Sequence, residues 1–145
     1  MKDDVVLLAH GGGGDLSRRL IEESLMPLLK NPVLEKMDDS AAVPWPDDTL
    51  VVTTDSYVVD PLFFPGGNIG TLAACGTIND LAMQGAWPCY FSLGLILEEG
   101  LPIKNLERVV ASLADVLNEF NISVITGDTK VVERGKAGGI FINTT

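Results

Sequence analysis

The stretch NLERVVASLADVLNEF, residues 105–120, leaves the fold least freedom. Leu106, Val109, Val110, Leu113, Leu117 and Phe120 recur at helical spacing along one face, with charges on the other. Such a helix must bury its stripe against a second apolar surface, and its neighbours in sequence are strand-like. CYFSLGLIL (89–97) precedes it; SVIT (123–126), TKVVE (129–133) and GIFINTT (139–145) follow it. Gly127 and Asp128 divide the first two of these into separate short strands. Upstream, DVVLLAH (4–10) reads as a short strand stopped by Gly11–Gly14, and TLVVTTDSYVV (49–59) as a Val/Thr-rich strand. DLSRRLIEESLMPLL (15–29) has helical spacing, with Leu16, Leu20, Ile21, Ser24, Leu25 and Leu28 on one side and Asp15 as N-cap. Strands alternating with long helices predict an α+β chain, a mixed sheet flanked by helices.

Composition removes several function classes. Twenty acids against ten bases, with no Lys/Arg cluster, exclude a nucleic-acid surface, which needs concentrated positive charge. No apolar run reaches the length of a membrane span, and the N-terminal MKDDVVLLAHGGGG is too short in apolar residues for a signal peptide. A single histidine, His10, speaks against a histidine-based metal centre. Cys75 and Cys89, in apolar surroundings, read as small buried thiols in a reducing cytoplasm.

The segment LAACGTINDLAMQGA, residues 72–86, reads as a buried helix that starts near Asn68, yet it carries Asn79 and Asp80. A buried, unpartnered carboxylate is costly, so Asp80 points to function. Asp39, Asp55 and Asp128 stand beside other ordered elements, although by itself Asp39 reads as a surface residue before a ligand, and a turn serves equally for Asp55 or Asp128. Aspartates without histidine or cysteine partners suit Mg²⁺ with a nucleotide better than zinc. The loop His10, Gly11, Gly12, Gly13, Gly14 can offer backbone N–H groups to phosphate at a helix start, although a glycine run is more often a flexible turn. Lys130, directly after GDT, is the base placed beside a proposed acidic site, although a lysine in a strand is usually a surface charge. No Walker-type phosphate loop and no dinucleotide-binding glycine fingerprint is present.

TTDSYVVDPLFFPGGNIGTLAACGTINDLAMQGAWPCYFSLGLILEEGLP and ITGDTKVVERGKAGGIFINTT, with LAHGGGG near the start, resemble a known family. It is the carbamoyl dehydratase of [NiFe]-hydrogenase maturation, within the aminoimidazole ribonucleotide synthetase-like superfamily of ATP-dependent enzymes. DPLFFPGGNIG, ILEEGLP and GDTKVV are those of the dehydratase branch.

The resemblance implies an N-terminal ATP-binding and dimerisation domain over residues 1–145, whose sheets pair into a barrel across a homodimer. The end of the chain within a strand pattern fits an excised domain that lacks the C-terminal domain and its terminal cysteine. Carried over by motif, Asp39 (or its neighbour Asp38), Asp55, Asp80 and Asp128 are metal ligands for Mg²⁺. Asn79 and the His10–Gly14 loop bind ATP, and Lys130 is catalytic beside the reacting group. The implied reaction converts an S-carbamoyl-cysteine into S-cyano-cysteine in the cytoplasm, with a carbamoyltransferase supplying substrate and an iron-bearing scaffold complex receiving cyanide. A sibling synthetase or kinase, or a non-catalytic docking module, are the alternatives.

Overall fold

A computed structural model of the chain describes residues 5–12, 14–37 and 50–145. Asp38, Asp39 and Gly13 lie outside the described residues. At the centre of the fold is β4 (Tyr90–Glu98), whose odd-numbered residues Phe91, Leu93, Leu95 and Leu97 are buried while the even-numbered ones face the other way. It runs parallel to β5 (Ser123–Val132) and antiparallel to β6 (Ile140–Thr144), and β6 pairs antiparallel with β1 (Asp55–Tyr57). The order β1-β6-β4-β5 makes a mixed four-stranded sheet. β2 (Phe63–Phe64) and β3 (Gly67–Asn68) form a separate small hairpin.

The parallel β4–β5 pair needs a crossover, and α4 (Ile103–Glu119) supplies it. Five members of its expected stripe, Leu106, Val109, Val110, Leu113 and Leu117, are buried, and Phe120 is partly so. Each fully buried side chain of this size contributes roughly 1.5–3 kcal/mol. α3 (Ile69–Met83) lies beside α4 and also packs on β1 and β6. Helices thus cover one face of the sheet, and among the described residues the other is open. The α+β expectation, a mixed sheet with helices, holds.

The N-terminal segment departs from expectation. Val5 makes only an isolated bridge to Pro102, and residues Leu8–Gly11 wind into a 3₁₀ turn instead of a strand. Val6 does bond to Leu101 O at 2.7 Å and accept from Gly100 N at 2.6 Å, but among the described residues the pairing goes no further. Residues 15–29 are helical but interrupted: α1 (Asp15–Leu20), a π turn (Ile21–Leu25) and α2 (Met26–Leu29) follow one another. Pro27 has no N–H to return to the preceding turn, and the ladder widens just before it. Gly14, not Asp15, is the N-cap, with Asp15 in the first turn where the helix dipole favours an acid.

Two strand boundaries also change. Gly127 and Asp128 do not divide β5, because both pair with the unbroken β4, opposite Leu93 and Gly94. Within the described residues 50–59 of the expected 49–59 strand, only Asp55–Tyr57 form one, the residues that find a partner in β6.

Candidate functional site

Asn68 starts α3 with a side-chain cap: its Oδ1 accepts from Gly70 N at 2.8 Å and Thr71 N at 3.3 Å. Its Nδ2 donates to Ser112 Oγ of α4 at 2.8 Å, which locks the rotation of one helix against the other. A Cβ on Gly70 would run into the Val109 carbonyl oxygen, so the two backbones approach closely here. With that rotation set, Ile69, Gly70, Ala73, Ala74, Thr77 and Ile78 form the buried stripe. Asn79 and Asp80 fall off its edge and are exposed. The expectation of a buried Asp80 is therefore corrected: its charge stays in water and carries no burial cost.

Asp55 and Asp80 nevertheless belong to one polar cluster where β1 meets α3. The Tyr57 hydroxyl donates to Asp55 Oδ2 at 3.1 Å and lies 3.2 Å from Thr77 Oγ1. Thr77 Oγ1 is 2.6 Å from Thr144 Oγ1 of β6. Thr53 Oγ1 donates to Asp80 Oδ2 at 3.4 Å, and Thr54 Oγ1 to the Thr144 carbonyl at 2.9 Å. Burial pushes the Tyr57 phenol up; Thr77 opposes this, and both Asp55 and Asp80 add to it. The phenol therefore stays a neutral donor near neutral pH.

Asp128 and Lys130 sit elsewhere. They pair with Gly94 and Ile96 of β4, which puts them on the open face, away from α3. β5 and β1 are opposite edges of the sheet, separated by β4 and β6. That separation is about 14 Å at ~4.8 Å per strand step, whereas each Mg²⁺ ligand stands at about 2.1 Å. One copy does not bring Asp128 onto an ion held by Asp55, and no three Asp, Glu, His or Cys side chains cluster for a metal among the described residues.

The glycine loop is held at its base. His10 is buried, and its Nδ1 accepts from Leu7 N at 3.0 Å, so what the loop presents outward is backbone. Gly11 is pressed on β5, where a Cβ would stand 2.7 Å from Val131 N. The cysteines are free, but Cys89 is exposed and Cys75 partly so, which corrects the expectation of buried thiols. Thr53, Tyr57 and Thr77 escaped the sequence reading. Their signal was positional: Tyr57 lies two residues from Asp55 on a strand, and Thr77 three from Asp80 on a helix.

The AIR synthase related protein, N-terminal domain, family model matches residues 37–145. The chain belongs to this family. It is 50% identical over 145 residues to the carbamoyl dehydratase HypE of Azotobacter vinelandii, covering 100% of this chain and 42% of that protein. The family member spans about two fifths of the length of the curated relatives it matches. A solved structure of the hydrogenase maturation protein HypE in complex with ATP superposes with TM-score 0.92 at 51% identity, over 95% of this chain and 41% of that one. A HypE–HypF complex matches with TM-score 0.63 at 44% identity, over 86% of this chain and 40% of that one.

Proposed function

We propose that this chain is the N-terminal ATP- and Mg²⁺-binding domain of a cytoplasmic ATP-dependent carbamoyl dehydratase of [NiFe]-hydrogenase maturation. The observation that carries the reading is the likeness to ATP-bound HypE over nearly the whole chain. The local chemistry agrees with it. Asp55, Asp80 and the Thr53 hydroxyl offer only hard oxygen donors on one side of the sheet, which suits Mg²⁺ and not a softer metal. Bound there, Mg²⁺ would neutralise charge on a transferring phosphoryl group.

In this reading the substrate is a cysteine thiol bearing a carbamoyl group. Its carbonyl oxygen takes the γ-phosphoryl group of ATP. Loss of that oxygen as phosphate, with two protons leaving nitrogen, yields R–S–C≡N, ADP and phosphate. Lys130 holds a positive charge near the transferring group, and the Gly11–Gly14 backbone and Asn79 hold the nucleotide. A carbamoyltransferase would supply the substrate and an iron-bearing scaffold would receive the cyanide; that the relative HypE forms a complex with HypF fits a protein partner in maturation.

The separation of Asp128 and Lys130 from Asp55 and Asp80 favours a homodimer. A second copy that places its β5 edge beside the β1 edge of the first would reduce the separation between the two halves from three strand steps to one, about 4.8 Å. The open sheet face exposes Ile96 at 40%, and Val58 just beyond β1 at 67%, apolar surface that a second sheet would cover in a shared barrel. Light scattering should find a dimer; a monodisperse monomer counts against the barrel. For the chemistry, full-length protein carbamoylated on its C-terminal cysteine should lose the mass of one water in the presence of ATP. No loss would overturn the dehydratase reading.

A further inference from the structure

We infer that Tyr57 is a positioning residue for Asp55, its phenol fixing the carboxylate in the orientation that takes a divalent cation. The inference rests on the reading of Asp55 as a ligand and adds what aims it.

The direction of each hydrogen bond follows from counting protons. Tyr57 has one hydroxyl proton, and it goes to Asp55 Oδ2. The contact with Thr77 Oγ1 must then be donated by Thr77. The Thr77 proton being committed, the contact with Thr144 is donated by Thr144. Three hydroxyls, from β6, α3 and β1, thus line up with every proton running toward one carboxylate oxygen. Thr144 is 0% exposed and Thr77 1%, so the far end of the relay is dry, where hydrogen bonds are strong and polarise one another.

The fold makes room for this arrangement. Gly76 stands in the middle of α3, where glycine weakens a helix by about 1 kcal/mol relative to alanine. The Tyr57 hydroxyl sits where its side chain would be. Among the described residues no hydrogen bond reaches Asp55 Oδ1, which leaves that oxygen for a cation. Partners of this kind set ligand orientation and affinity at metal sites.

The test is titration of full-length protein with Mn²⁺ alone, free ion read by electron paramagnetic resonance. Tyr57→Phe should weaken binding about tenfold. The Asp55→Asn, Tyr57→Phe double variant should bind no worse than Asp55→Asn, because Tyr57 acts only through Asp55. Thr77→Val, which removes the anchor and keeps the phenol, should give a smaller loss, and it decides the matter if Tyr57→Phe does not fold; unchanged binding in it would then overturn the inference. Wild-type affinity in Tyr57→Phe beside weakened Asp55→Asn overturns the positioning role and leaves Asp55 a ligand. Equal losses from Tyr57→Phe with and without Asp55 mean a merely structural tyrosine and also overturn it. Wild-type affinity in Asp55→Asn removes the ligand, and the inference with it.

Discussion

The hydroxyl of Tyr57 occupies the space that a side chain on Gly76 would need; a Cβ there would overlap it and stand 3.0 Å from ring atoms Cε1 and Cζ. Two opposed effects then act on Gly76→Ala. Helix propensity favours it by about 1 kcal/mol, while overpacking typically costs 1–3 kcal/mol. The overlap is with a ring held at its hydroxyl by Asp55 and Thr77, so overpacking prevails. We predict net destabilisation of up to about 2 kcal/mol in chemical denaturation, reduced in the Tyr57→Phe background where the overlapping hydroxyl is gone. Gly76→Ala at or above wild-type stability would contradict this packing.

Asp80 is exposed and its one described side-chain partner is Thr53 at 3.4 Å, so Asp80→Asn should leave folding stability within about 0.5 kcal/mol. In the proposed function its effect falls on ligand binding. Calorimetry with Mg-ATP on the full-length protein should show a loss of affinity of tenfold or more, on the order expected for a missing charged metal ligand. Unchanged affinity would remove Asp80 from the site.

Gly70 faces the Val109 carbonyl, a backbone group that cannot swing away. Gly70→Ala must push α3 off α4 and loosen the Asn68–Ser112 bond that fixes their rotation. We expect a loss of about 2–3 kcal/mol, larger than for Gly76→Ala, where a side chain can yield. Thermal unfolding of the two variants side by side measures the order.

Glu98 closes the loop between β5 and β6, accepting from Gly135 N at 2.8 Å, Ala137 N at 3.1 Å and Gly139 N at 3.3 Å. These backbone donors, Gly135 first, hold its carboxyl below the usual 4.5. A carboxyl with a lowered folded value binds protons less readily than in the unfolded chain. Its contribution is therefore present above pH 4.5 and lost as pH falls through the lower folded value. Amide protection at residues 135–139, the exchange rate relative to the intrinsic rate at each pH, should fall over that acid window. In Glu98→Gln the window should vanish, with lowered protection on both sides of it; a persistent window would assign it to another group.

Much of the architecture was legible in residues 89–145. The α4 stripe has one interpretation at a period of 3.6, and β4 is a long apolar run of strand-forming residues. Misreadings came where a partner decided the matter. DVVLLAH has strand-like residues, but among the described ones only Val5 and Val6 pair with another backbone segment, and the His10 side chain tightens the following turn. Gly127–Asp128 looks like a break until β4 is laid beside it. In α3 small and apolar residues occur all round, so periodicity could not say which face was inside; the Asn68 cap and the Gly70 contact with α4 chose it.

The same division holds at the site. By itself the sequence determined which chemistry was available: hard oxygen donors, one lysine after GDT, a glycine loop, and the motifs of a family. Those follow from residue identity and local spacing. Tertiary structure decided that Asp55 and Asp80 share a cluster through Tyr57, Thr77 and Thr53, and that Asp128 and Lys130 lie across the sheet on its open face. That sorting depends on strand order and register, which arise from pairing between segments distant in the chain and are not encoded in any one of them.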